Sequence, residues 1–229
     1  MIGTIVNTGA ILAGSSVGSL FSKGISESKK KILYQALGLS AFAIGVSSLV
    51  RGMSTSNEPI LFIASMVVGG LVGQRLNLEG RVEAMGRKIS DKSGSKLIEG
   101  LTTAVLLFCV GTLSILGPIE SALNGDHSLL FTNAMLDGIT SMILASTFGL
   151  GIMLSAGILF LWQGSIFLLA GYLGAFATPE LLTEISIIGG ILIMSTGINI
   201  LEIKKISTLN LIPALIVPVV YFALRSILF

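Results

Sequence analysis

A single aspartate stands inside an otherwise uncharged run. Asp137 falls in the middle of the apolar stretch 129–148, with Asn133 four residues before it, Thr140 three after and Ser141 four after. On a helix this spacing puts Asn133, Asp137 and Ser141 on one face, so a polar stripe crosses a segment of oil. An acid at the centre of a bilayer is costly unless it faces protein or water, and such groups mark ion and proton pathways. A carboxyl held there can exchange a proton for a cation or a charged substrate. Gly138 beside it admits another backbone at close range. The amides Asn7 and Gln163, in two other apolar runs, are expected to face the same mid-membrane cavity. The candidate binding residues for a small solute or cation are therefore Asn7, Asn133, Asp137, Ser141 and Gln163. The competing reading is packing, because amides and hydroxyls also bond helix to helix in lipid.

Other polar residues have plainer explanations. Glu180 and Glu184 open an apolar run, where carboxylates complement a helix dipole. Asn199 and Asn210 flank a short polar connection and suit capping or headgroup contact. Pro213 and Pro218 interrupt the last apolar run and free backbone carbonyls. The sequence Asn124-Gly125-Asp126 is a turn signal, and Asp126 with His127 makes only a weak metal site. Cys109, the one cysteine, cannot form an intrachain disulfide and suits packing. No cofactor or metal is implied, nor is an enzyme. His127 is the sole histidine, which removes HExxH zinc chemistry. A nucleophile elbow is not expected, and Asp137 lacks the second in-span aspartate that a paired-carboxylate protease needs.

These residues must be positioned by membrane helices. The chain is 52% hydrophobic and 11% charged, and about 20 apolar helical residues cross a hydrocarbon core. Spans are placed at about 2–22, 33–50, 59–76, 97–117, 129–148, 153–173, 180–201 and 208–228. The fold class is an all-α polytopic bundle of eight spans, or seven with one re-entrant segment, forming one membrane domain over 1–229. Twelve of the 14 Lys and Arg residues, including Lys29, Arg81 and Lys204, fall in connections on one side; only Arg51 and Arg225 fall on the other. The positive-inside rule makes the first side cytoplasmic and both termini external. No basic leader precedes the first apolar run, which is read as a retained helix and not a signal peptide.

Within the connection 77–93, Leu78, Val82, Met85 and Ile89 recur at helical spacing among cations, the pattern of an interfacial amphipathic helix. The charge-free stretch Ser146–Gly151 is either a turn at the inner surface or a helix break within the protein. Gly is 28 of 229 residues, and the Gly14/Gly18 and Ser65/Gly69/Gly73 spacings provide close helix contact. The same small-residue faces make self-association a candidate interaction. A faint repeat links Ala43–Leu49, Cys109–Ile115 and Ser195–Leu201; it suggests spans three to five and six to eight as an inverted repeat.

The run Gly125-Asp126-His127-Ser128-Leu129-Leu130 followed by Asn133-Ala134-Met135-Leu136-Asp137 resembles the signature of the YqgA/YdfK-like bacterial membrane proteins. Val6-Asn7, Gly14, Gln163, Gly197 and Asn210-Leu211-Ile212-Pro213-Ala214 extend the likeness over essentially the whole chain. The resemblance implies a polytopic protein of the bacterial inner membrane and assigns no activity. Family members often carry Lys at the position of Asn133, where it could pair with Asp137 across one turn; Asn133 removes that cation. Three function classes follow. A small-solute transporter or channel uses the stripe. A structural or regulatory membrane protein needs it only for assembly. An intramembrane enzyme fits poorly. The expected partners are lipid and a small solute or cation, and a net charge of +2 gives no reason to expect nucleic acid.

Overall fold

A computed structural model describes residues 1–21, 26–82, 84, 96–110, 112–174 and 178–228, and all regular structure within them is helical. The helices are α1 (Ile2–Ser19), α2 (Glu27–Thr55), α3 (Leu61–Leu76), α4 (Lys96–Val110), α5 (Thr112–Leu123), α6 (Ser128–Phe148), α7 (Leu154–Gly174), α8 (Pro179–Ile200), α9 (Thr208–Leu211) and α10 (Ile216–Leu228). Single 3₁₀ turns, Leu150–Met153 and Ile212–Leu215, lead into α7 and α10. Six helical segments are long and apolar enough to cross a bilayer, or seven if α4 and α5, bent by 41°, form one broken span. The expected eight is therefore approximate. The difference is α1, whose 18 residues include Thr4, Asn7, Thr8, Ser15 and Ser16. All five dilute its apolarity, and Thr4, Asn7 and Ser15 belong to its buried face. Most of the predicted interfacial helix, including Met85 and Ile89, lies outside the described residues.

The chain divides into two compact units, residues 1–37 with 82–174, and residues 38–81 with 175–229. This division departs from the proposed repeat. The third predicted span joins the seventh and eighth, while the fourth, fifth and sixth form part of the other unit.

In the first unit, α1 lies along α6 in the same direction. Gly3 meets Leu130, and a Cβ on Gly14 or Gly18 would strike the carbonyl of Gly138 or Met142. The GxxxG pair thus brings two backbones together, as expected for tight packing without a hydrophobic drive. Ile11, Ala104, Phe108, Cys109, Ala145, Ile152, Ala156 and Leu159 fill the core beside this contact. The segment after α6 is a surface turn and not a mid-helix break. Gly149 has φ +90° and ψ −178°, a region essentially reserved for glycine, and Phe148 and Gly151 pack on Gly100 and Leu97 near the start of α4.

In the second unit, α2 and α8 cross in opposite directions. Gly45 meets Gly190 and Met194, while Gly38 meets Gly197 and Leu201. Gly45 and Gly197 are members of the faint repeat, and each makes a close backbone contact at this crossing, with Met194 and Phe42 respectively. On α3, a Cβ at Gly69 or Gly73 would collide with the backbone of Ala214 or Asn210. These glycine contacts draw spans two and three to spans seven and eight. Outward positions remain apolar, Leu71 at 68% and Leu161 at 72% exposure among them, as helix faces toward lipid require.

Candidate functional site

The polar stripe of α6 meets the polar face of α1. Asn7 Nδ2 donates to Asp137 Oδ2 at 2.9 Å, and Asn133 Nδ2 donates to the same oxygen at 2.9 Å. The intrahelical bond follows from four-residue spacing, which stacks the two side chains on successive turns. The interhelical bond follows from the glycine contact, which brings α1 near enough for a short amide to reach. Asp137 and Asn133 are each 5% exposed, and Asn7 is fully buried. Asn133 therefore gives the acid a neutral donor at the position where the resemblance places lysine. Asn7 Oδ1 is buried without a hydrogen-bond partner. It is an acceptor within the side chain that already donates to the acid.

The other expected members lie apart from this trio. Ser141 is buried on the next turn, and its hydroxyl is shared between the carbonyls of Gly138 at 2.8 Å and Ile11 at 3.3 Å. Gln163 is fully buried in α7, where Nε2 donates to Ser114 Oγ at 3.2 Å and Oε1 has no hydrogen-bond partner. The single open cavity expected to join all five residues is replaced by a sealed Asn7–Asp137–Asn133 cluster and a separate Gln163–Ser114 pair. Close backbone packing at Gly14 and Gly138 leaves α1 and α6 in direct contact at this depth. Gly14, Gly18, Gly69 and Gly73 each make a close backbone contact within the chain.

The remaining polar residues mostly take structural roles. Asn199 bonds Ile206 through both its amide ends, and Asn210 accepts from Glu79 N at 3.0 Å and donates to Gln74 at 3.1 Å. Both hold connections at one end of the second unit, as capping predicts. Asp126 Oδ1 accepts from Ser128 N at 2.8 Å after Gly125 at φ +68°, which forms the expected turn. The residues Gly14-Ser15-Ser16-Val17-Gly18 do carry the glycine and serine spacing of a nucleophile elbow, contrary to the sequence expectation. They lie within α1, and Ser16 Oγ donates to its own helix at Leu12 O, 2.7 Å away, so the strand–turn–helix that exposes a nucleophile is absent.

Glu184 departs most from its sequence reading. It lies in the second turn of α8 and is 1% exposed; only Glu180 is in the first turn. The Ser56 hydroxyl donates to Glu184 Oε1, and Oε2 is buried without a hydrogen-bond partner. Sequence missed this residue because a carboxylate near a helix start already has a sufficient explanation in the dipole.

Comparison with known proteins gives relatives matched along nearly the whole chain. The chain is 52% identical over 227 residues to the uncharacterized membrane protein YdfK of Bacillus subtilis (strain 168), covering 99% of this chain and 98% of that one. It is 27% identical over 224 residues to the uncharacterized protein YqgA of Escherichia coli (strain K12), with 94% of each chain covered. No solved structure matches it. Its long apolar helices and its likeness to YdfK make it a membrane protein. Residues 2–223 match the family model described as protein of unknown function (DUF554), and the chain belongs to that family.

Proposed function

We propose that this is a multi-pass protein of the bacterial cytoplasmic membrane that moves a small solute or ion, and that Asp137 is its proton-binding group. The observation carrying this reading is the carboxyl held between the amides of Asn7 and Asn133 with Asn7 Oδ1 left unpartnered. Both amides donate to an ionised acid. A protonated acid needs an acceptor, and rotation of the Asn7 amide would offer its free oxygen in place of its NH₂. The acid itself can thus be hydrogen-bonded in either protonation state, as a proton-exchanging site requires. It is not proposed as an enzyme.

A second reading is favoured by the seal itself. An acid 5% exposed and bonded across a glycine contact would also serve assembly alone. Proteoliposomes containing the full-length protein and an internal pH dye separate the two. Pulses of Na⁺, K⁺ or 1,4-diaminobutane should drive a proton signal in the wild type. Asp137→Asn, which keeps shape and an acceptor but cannot titrate, should reduce that signal by about tenfold or more. Silence from the wild type across the panel, or equal signals from both proteins, would reject transport through Asp137.

A further inference from the structure

The second unit contains a cavity of about 800 Å³, bounded by the end of α2, the first turns of α8 and the last turns of α10. Small-molecule sites commonly fall between about 300 and 1,000 Å³. Glu58, Glu180 and Glu184 line it, against the single cation Arg225, and Phe222 adds an apolar wall. Glu58 is already engaged, since Tyr221 Oη donates to its Oε1 at 3.0 Å and Arg225 Nη1 at 3.1 Å. Glu184 is not fully engaged. One of its oxygens accepts from Ser56, and the other, Oε2, is buried and unpartnered.

A buried acceptor without a donor loses its hydration and gains nothing in return, so it is a place where a ligand donor binds with advantage. The excess of carboxylates asks that the donor be positive. A primary ammonium supplies both, with three N–H donors and no acceptor. A quaternary ammonium has the charge without the donors. A bare metal ion needs several converging ligands, and among the described residues no three His, Cys, Asp or Glu side chains are grouped to hold one. Phe222 suits the carbon body of an organic cation, by contact or through its ring face.

We propose that this cavity binds a small organic primary ammonium compound, its carbon chain against Phe222 and its –NH₃⁺ hydrogen-bonded to Glu184 Oε2 once that carboxylate turns toward the cavity it lines. The site lies wholly within the second unit and uses no residue of the Asp137 cluster, so it stands whether or not Asp137 supports transport. By the charge asymmetry it opens at the end opposite Lys204 and Lys205, the end predicted to be external.

Calorimetric titration of the purified full-length protein in detergent, at constant ionic strength, tests this with 1,4-diaminobutane as the probe. Saturable binding is expected in the wild type. Glu184→Gln keeps the shape and an oxygen for Ser56 but turns the free acceptor into a donor, and should weaken binding by about tenfold or more. Glu180→Gln changes an exposed rim charge and should weaken it by about two- to fivefold. Tetramethylammonium should bind wild type about tenfold more weakly than the diamine, a comparison that needs no variant. Asp137→Asn should bind like wild type, which keeps this result separate from any loss of flux. The proposal is overturned if wild type shows no saturable diamine binding or if folded Glu184→Gln binds equally. Equal binding of tetramethylammonium, or displacement of the diamine by equimolar Na⁺ or Mg²⁺, would overturn it as well.

Discussion

At the scale of single residues, Asp137 shows which part of a membrane site a sequence carries. Its pairing with Asn133 follows from spacing alone, because a helix fixes what lies four residues away. Its pairing with Asn7, 130 residues distant, does not, and neither does the pairing of Gln163 with Ser114. Sequence gives the depth of a polar residue along its span but not the azimuth at which neighbouring helices meet it. The lipid-facing and protein-facing sides of a span are both apolar, so periodicity marks no inner face. Glu184 was hidden for a different reason, since a carboxylate near a helix start is already explained by the dipole. The trio also makes a stability prediction that does not depend on transport. Asp137→Leu leaves the donors of Asn7 and Asn133 without their shared acceptor in a dry contact. It should destabilise the protein by about 1–3 kcal/mol, near the upper end of interhelical hydrogen bonds in membranes. Asp137→Asn retains an acceptor oxygen and should cost about 1 kcal/mol or less. Unfolding in mixed detergent, followed by circular dichroism, measures both; equal losses would show that the two amides do not depend on Asp137 as acceptor.

At the scale of helices, contact is decided by glycine more than by apolar surface. Leucine gains little by leaving lipid for another leucine, whereas two backbones that can touch gain dispersion and polar contacts. The glycine spacings were visible as motifs, and so was the weak likeness among spans two, four and seven. The partner of each face was not visible. Gly45 and Gly190 block each other's space on crossing helices, while Gly157 on α7 has nothing within 4 Å of an added Cβ. Two substitutions of similar chemistry should therefore differ. Gly190→Val pushes apart α2 and α8 at a backbone contact and should cost about 3 kcal/mol or more, at or beyond the usual range for overpacking. Gly157→Ala adds a methyl in open space and should be neutral, or stabilising by up to about 1 kcal/mol through helix propensity. The same unfolding measurement reads both. A neutral Gly190→Val would mean that this crossing can separate without loss.

At the scale of the whole molecule, the charge asymmetry and the packing directions of each unit agree with alternating crossings. In the first unit α1 and α6 run parallel, as first and fifth spans must if every span crosses. In the second unit α2 and α8 are antiparallel, and α3 is antiparallel to the segment around Asn210 and Ala214, as second with seventh and third with eighth must be. This bears on α1, which lies outside the group meeting the length and apolarity criteria. Its 18 residues, rising about 1.5 Å each, are about 27 Å long, close to the roughly 30 Å of a hydrocarbon core. The helix lies along α6 from Gly3 beside Leu130 to Gly18 beside Met142, and its buried face bonds Asp137 where lipid would offer nothing. It is expected to cross with α6, which makes the crossings eight and leaves Met1 outside. Single cysteines in a Cys109→Ala background test the topology at exposed positions. An impermeant thiol reagent added to intact cells should label Asn57→Cys and Asn124→Cys, and should reach Leu150→Cys and Ile203→Cys only after the membrane is permeabilised. A tag preceding Met1 should be open to external protease. Protection of that tag while the four cysteines behave as stated would leave α1 short of a full crossing, with seven spans in place of eight. Labelling of Ile203→Cys from outside would overturn the alternation itself, because twelve of the 14 cations in the chain assign that side to the cytoplasm.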